Sequence, residues 1–246
     1  LSKKFAEGLD ALVMDVKVGN GAFLPALDGA RELADSLKTV AREAGLAMRV
    51  VLTAMEQPLG WAVGNWPEVE ETLQALGGDA PDDVRRVTEE LCVAMLLASP
   101  ICTDPAAALR RVRSVWDSGE ALQRFQKMVE AQGGDLEASR KRYADVPRVA
   151  FQAAADGVIT HIRAREIGVA GIVLGVGRVL DTDGIDSAAG IIFFKKTGDE
   201  VRRGEEIGYV QGNRRESFEA IIAAVTAAIG IGRDAPEVGD VVLEER

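Results

Sequence analysis

The chain has 246 residues, 47% hydrophobic and 28% charged, an ordinary water-soluble composition with length for one large core or two modest ones. Its formal charge of -10 argues against a nucleic-acid grip or docking on an anionic membrane, since both need a basic face; a local Lys/Arg cluster still leaves an anionic small substrate open. Two cysteines, Cys92 and Cys102, without paired-thiol or zinc spacing, point to a reducing cytoplasm, and the apolar run at 11–14 is far short of a membrane span.

Residues 10–18 form an apolar run with polar flanks, predicted as a buried strand. Residues 25–43 place Leu27, Ala30, Leu33, Ala34, Leu37 and Ala41 on one helical face, and Gly45 stops that helix. Residues 48–53 are a second buried strand, which completes a βαβ unit with an expected right-handed crossover. Asn65 is placed to cap a helix over 66–76, ended by Gly77-Gly78. A helix over 81–98 is expected to bury Val84, Val87, Leu91, Met95 and Leu96. Thr103 is read as the cap of the next helix, with Asp104 and Pro105 in its first turn and Gly119 after it, and 120–131 as a further helix ending at Gly133-Gly134.

Near Pro147 the pattern changes to short strands, such as 158–162 and 191–194, parted by glycine turns, with a last helix over about 215–229. Gly198-Asp199-Glu200-Val201-Arg202-Arg203-Gly204 predicts a tight hairpin with glycines at positive φ. Such hairpins occur in lipoyl and biotinyl carriers, but Lys195 and Lys196 precede the turn instead of standing at its tip, so a carrier role is set aside. The expected fold class is α/β: a mixed-sheet domain holding the βαβ unit and a helical appendage, then an α+β module resembling a barrel sandwich.

Chemistry-bearing residues gather at few places. Lys3 and Lys4 at a helix end ordinarily mean a solvated face. Asp15-Val16-Lys17-Val18-Gly19-Asn20-Gly21-Ala22-Phe23 reads as a strand running into a glycine-flexed loop, the region where open α/β sheets bind ligands. On spacing alone Phe23 is a core residue, and Lys17 is a structural partner of Asp15 or of a neighbouring domain. Gln57-Pro58-Leu59-Gly60-Trp61-Ala62-Val63-Gly64 before Glu68, Glu70 and Glu71 can present carbonyls and a carboxylate to a cation; the glutamates otherwise complement a helix dipole. His161 has no evident nucleophile or carboxylate partner and is read as structural. Gly175-Val176-Gly177-Arg178 lacks the strand-loop-helix setting of a phosphate loop and is also ranked structural.

Ser2-Lys3-Lys4 and the run from Asp15 to Phe23 together resemble the pyrimidine nucleoside phosphorylase family, thymidine phosphorylase and its relatives, and the resemblance extends along essentially the whole chain. It implies reversible phosphorolysis of pyrimidine nucleosides such as thymidine, in nucleoside salvage, giving free base and a pentose 1-phosphate. Inorganic phosphate would be the co-substrate, with no organic cofactor, in a cytoplasmic homodimer. Lys3 matches the lysine that bonds the base and stabilises its departing charge; Phe23 would pack on the base near its 5-substituent. The carbonyls of Leu59 and Ala62 and the side chain of Glu71 match a potassium site, although Met55-Glu56-Gln57 stands where the family commonly has Met-Asn-Gln.

The resemblance assigns 1–8 to the end of a small helical domain, 9–146 to the later α/β domain and 147–246 to a C-terminal module. It places the phosphate-binding loop, a base-binding arginine and serine, and the remaining potassium ligands before Leu1. The isolated chain is therefore expected to be inactive. Rival readings are a related phosphoribosyltransferase, against which the C-terminal module counts, and a non-catalytic binding or scaffold remnant. Thymidine and uridine preference stay open.

Overall fold

In the computed structural model, residues 1–246 apart from Val179, Asp181 and Asp183 are described. Helix α1 (Ser2–Ala6) leads into β1 (Ala11–Val18), α2 (Leu27–Glu43) and β2 (Ala47–Ala54). A loop then carries β3 (Ala62–Gly64), followed by α3 (Trp66–Leu76), α4 (Asp82–Ala98), α5 (Pro105–Asp117), α6 (Glu120–Ala131) and α7 (Leu136–Tyr143). Next come β4 (Arg148–Gln152), β5 (Gly157–Ile162), α8 (Ala164–Leu174), β6 (Gly190–Phe193), β7 (Glu200–Val201) and β8 (Glu206–Gln211). After a 3-10 turn at Arg215–Ser217, α9 (Phe218–Ala227), β9 (Ile229–Gly232) and β10 (Val242–Glu245) finish the chain.

The βαβ expectation holds: β1 and β2 are parallel in register from Ala11 opposite Ala47 to Val18 opposite Ala54. Helix α2 covers one face of the pair, where Ala30 and Ala34 are small enough to lie against Val16, Val18, Val50 and Leu52. Helix α4 also packs against both strands. With cover on both faces, Val50, Val51, Leu52 and Thr53 are all fully buried, which explains why this strand reads as continuous apolar sequence instead of alternating. The other polar insertion is answered locally. Lys17 stands opposite Thr53, donates to its Oγ1 at 2.9 Å and pairs with Asp15 at 2.7 Å; Thr53 Oγ1 donates to Asp15 at 2.5 Å.

The later residues form two antiparallel sheets, ordered β3-β6-β8-β4 and β7-β5-β9. With α8 and α9 they enclose one core around Phe151, Ile159, Ile162, Ile167, Leu174, Ile191, Ile207, Val210 and Val225. Among the described residues these sheets do not close into a barrel. The sheets also exchange strands across the sequence. Strand β3 leaves the α/β part to pair with β6, and β10 returns to flank β2 antiparallel. Around β10, Arg31 bonds Glu244 at 2.8 Å, Arg49 bonds Glu245 at 2.5 Å and Arg246 pairs with Asp35 at 3.3 Å.

Several expectations need correction. Asn65 does not cap α3; its amide donates to the Val176 carbonyl at 2.9 Å, while Glu68 accepts from the Gly64 N–H. The cap of α5 is Asp104, which accepts from the N–H groups of Ala106 and Ala107, one residue past Thr103. Met95 is half exposed; of the expected stripe α4 fully buries Val87, and it buries Ala94 in addition. The Gly198-to-Gly204 segment is no tight hairpin: β6 pairs with β8, and the chain between them detours so that β7 joins β5.

Glu89, 5% exposed, is the charged residue that α4 buries. Arg113 of α5 grips it through Nε at 3.0 Å and Nη2 at 2.8 Å, and Arg85 adds a third bond at 3.1 Å. Hydrogen bonding from Arg113 holds the Glu89 carboxyl below the usual carboxylate range, against the opposing effect of burial. A depressed folded-state value means that the stabilisation is full above the ordinary glutamate pKa of about 4.3 and is lost as pH falls through the folded value. Glu89→Gln should lower stability at neutral pH by about 1–3 kcal/mol, and the deficit should shrink below about pH 4, read from urea unfolding across pH.

Candidate functional site

In the segment that leaves β2, several backbone groups are satisfied by side chains and strands from elsewhere in the fold. Phe193 N–H donates to the Trp61 carbonyl at 2.8 Å, which makes Trp61 the hydrogen-bonding residue of the β3–β6 ladder. The next residue, Ala62, therefore directs both its N–H and its C=O away from β6, on the free edge of the sheet. There Glu71 of α3 accepts from Trp61 N–H at 2.5 Å and Ala62 N–H at 3.2 Å, both on Oε1. Gly60 has φ +67°, and a Cβ there would collide with the Glu71 carboxylate, so the turn and the carboxylate fit only with glycine. The Leu59 carbonyl accepts no hydrogen bond from a described residue. Glu71 of α3 is thus brought against the turn that carries Leu59 and Ala62, setting edge carbonyls beside a part-buried carboxylate, oxygen donors of the kind a monovalent cation takes.

Two residues that sequence reasoning missed complete this loop. Asp83 of α4 accepts from Gly60 N–H at 3.1 Å. Lys196, between β6 and β7, reaches across to donate to the Pro58 carbonyl at 2.5 Å and to Asp83 at 3.2 Å, with its ammonium 5.4 Å from the Trp61 ring centre. Burial pushes the Glu71 carboxyl up, partly offset by the Trp61 and Ala62 N–H groups. Burial likewise draws the Lys196 ammonium down, against the pull of Asp83. The available signal was the double lysine beside the glycine turn, but its partners lie 113 and 138 residues away in sequence.

The other expected residues are placed less compactly. Lys3 sits exposed on α1, whose neighbour Lys4 pairs with Glu7 at 3.4 Å. Phe23 is fully exposed beyond the C-terminal end of β1, so it is no core residue, which corrects the reading from spacing. Burying that ring against a partner would gain about 1.5–3 kcal/mol. Lys3 and Phe23 flank β1 and do not touch one another.

Glu56 occupies the expected asparagine position and is not idle there. Its carboxylate accepts from Asn20 N–H at 3.2 Å and lies against Gly19, whose φ of +120° leaves room only for hydrogen. Asn20 in turn accepts from Arg165 N–H at 2.8 Å, capping the first turn of α8 from a distant loop. His161 is exposed with Thr160 as its ring partner at 3.2 Å, and Gly175 ends α8 in the left-handed region at φ 110°.

Residues 1–122 match the glycosyl transferase family a/b domain, and residues 158–232 match the pyrimidine nucleoside phosphorylase C-terminal domain. The chain is 36% identical over 239 residues to the pyrimidine-nucleoside phosphorylase of Bacillus subtilis strain 168, covering 96% of this chain and 55% of that protein. It is 34% identical over 234 residues to the protein of the same name from Staphylococcus haemolyticus strain JCSC1435, covering 94% and 54%. The chain spans about half the length of the curated relatives it matches.

Gly60→Ala should destabilise the protein by about 1–3 kcal/mol through positive φ and the clash with Glu71. In a Glu71→Ala background the same change should cost distinctly less, because the clash is gone and only the backbone strain persists; a double-mutant cycle in urea measures the difference.

Proposed function

The chain belongs to the pyrimidine nucleoside phosphorylase family, and on that premise we propose that it serves the reversible phosphorolysis of pyrimidine nucleosides, thymidine among them, in nucleoside salvage. The observation that carries this reading is the bare Phe23 ring beyond the end of β1, in a segment that α1 feeds with Ser2-Lys3-Lys4. An oxygen of inorganic phosphate attacks the anomeric carbon as the glycosidic C–N bond breaks. The bonding pair leaves with the base, whose carbonyl oxygen takes up negative charge before the base is protonated. Lys3 donates to that oxygen and is the catalytic residue, because its stabilisation grows as the charge develops. Phe23 covers the face of the base, holding it at the orientation the displacement needs.

Leu59, Ala62 and Glu71 would hold a monovalent cation, potassium by preference, and the free edge of β3 with the Glu71 carboxylate supports that donor set. A bound cation supplies fixed positive charge on the loop. The same reading takes phosphate as co-substrate with no organic cofactor, a cytoplasmic setting and a homodimeric complete protein. It also holds the 246 residues alone to be inactive, since they span half of their relatives.

Phosphate-dependent release of thymine and uracil from their nucleosides tests the reading, with protein expressed from its own coding region. Lys3→Ala should lower kcat/KM about 10²- to 10³-fold, as for loss of one charge-stabilising donor. Absence of phosphate-dependent base release in the unaltered protein would overturn the proposal. Robust turnover by the 246 residues alone would overturn the claim that they are inactive.

A further inference from the structure

The Lys196 side chain is only 14% exposed, although lysine loses more by burial than almost any side chain, and its backbone is fixed before it reaches the loop. Its own N–H donates to Asp199 Oδ2 at 2.7 Å, and Asp199 N–H returns to the Lys196 carbonyl at 3.1 Å. Thr197 N–H adds a bond to Gln57 Oε1 at 3.1 Å, so that the turn is anchored on the start of the loop it serves. The ammonium is thus delivered on a rigid support to the Pro58 carbonyl and the Asp83 carboxylate.

Those two acceptors are the ones that would corrupt a monovalent site. Asp83 and Glu71 bind consecutive N–H groups, those of Gly60 and Trp61, and so stand side by side along one turn of chain. Two adjacent carboxylates with carbonyls beside them are a hard oxygen set whose charge favours a divalent cation. One carboxylate with carbonyls matches the charge of a monovalent one. Lys196 occupies Asp83 and Pro58 together, which leaves Glu71, Leu59 and Ala62 as the free donors of the loop.

We infer that Lys196 is a positioning residue that keeps the loop a monovalent-cation site, by neutralising Asp83 and withdrawing the Pro58 carbonyl from coordination. This rests on the cation loop proposed above. It assigns a role on that loop to the module that follows β4, through one side chain that touches neither base nor phosphate.

Fluorescence from the tryptophans, with Trp61 on the loop itself, and thermal midpoints give readouts independent of turnover. KCl, NaCl and CaCl2 titrations at constant ionic strength should show a potassium response above sodium, and none to calcium, in the unaltered protein expressed from its own coding region. Lys196→Met takes a positive charge from beside the loop and frees Asp83, so it should lower the potassium midpoint and should gain a calcium response. That calcium response should vanish again in Lys196→Met/Asp83→Asn. Glu71→Gln should abolish the potassium response.

Loss of the response in Glu71→Gln, with an unchanged potassium midpoint and no calcium response in Lys196→Met, would overturn the inference and leave the cation loop standing. Lys196 would then be a tether, and its removal would lower the thermal midpoint equally in every salt. Absence of a potassium-specific response in the unaltered protein expressed from its own coding region would overturn the cation loop and the inference together. Should Lys196→Met fail to fold, Asp83→Asn keeps the ammonium but strips its counter-charge. It should weaken potassium about tenfold or more; an unchanged midpoint there is equally fatal.

Discussion

The need to satisfy the backbone N–H groups of the chain leaving β2 governs how the elements around it are arranged. Met55 alone joins two elements, donating to the Val18 carbonyl at 2.6 Å and accepting from Gly21 N–H at 2.9 Å. The Glu56 carbonyl accepts from Ala164 N–H at 3.0 Å, Gly60 and Trp61 turn to Asp83 and Glu71, and Trp61 accepts from Phe193. In ten residues the chain draws on β1, α3, α4, α8, β6 and the turn that carries Lys196. A loop so heavily committed has little freedom to move on its own, which is what a binding loop needs if its donors are to be in place before the ligand arrives.

This commitment also explains why two glycines are indispensable there. Gly60 admits the Glu71 carboxylate and Gly64 lets β3 lie against the backbone of Ala189 and Gly190. Neither position is slack; each is a point where another part of the protein comes closer than a methyl group allows. The same holds at Gly19, against Glu56, so the loops after β1 and β2 are shaped by one constraint and meet at the first turn of α8.

Local pattern in the sequence was enough for elements whose partners are nearby. The strands at β1 and β2, the alanine face of α2 and the stops of α2 and α3 are legible because they depend on side chains within a few turns. Helix α8 was not, since AREIGVAGIVL is apolar on nearly every side and offers no stripe of period 3.6. Strands β3 and β10 are too short to alternate visibly, and their identity comes from partners more than a hundred residues away. In the candidate site, Leu59, Ala62 and Glu71 were readable as one motif. Asp83 and Lys196 were not, because an ordinary exposed-looking aspartate and lysine acquire meaning only where the fold brings them together. Phe23 carried the opposite error: a bulky aromatic after an apolar strand suggests a core, and only its surroundings show that nothing covers it.

Strand β10 gives the molecule a particular assembly history. Its Glu245 meets Arg49 of β2 across a separation of 196 residues. During synthesis at about 5–20 residues per second, β2 leaves the ribosome some ten seconds or more before the strand that flanks it exists. The outer edge of β2 is open through that interval, presenting unpaired amides beside a fully apolar strand, the situation in which chains stick to one another. Helix α4, made early, can shelter a face of the sheet but not its edge. The ion pairs that Arg31, Arg49 and Arg246 make around β10 therefore do more than fasten a tail: they hold in place the strand that covers the exposed edge of β2.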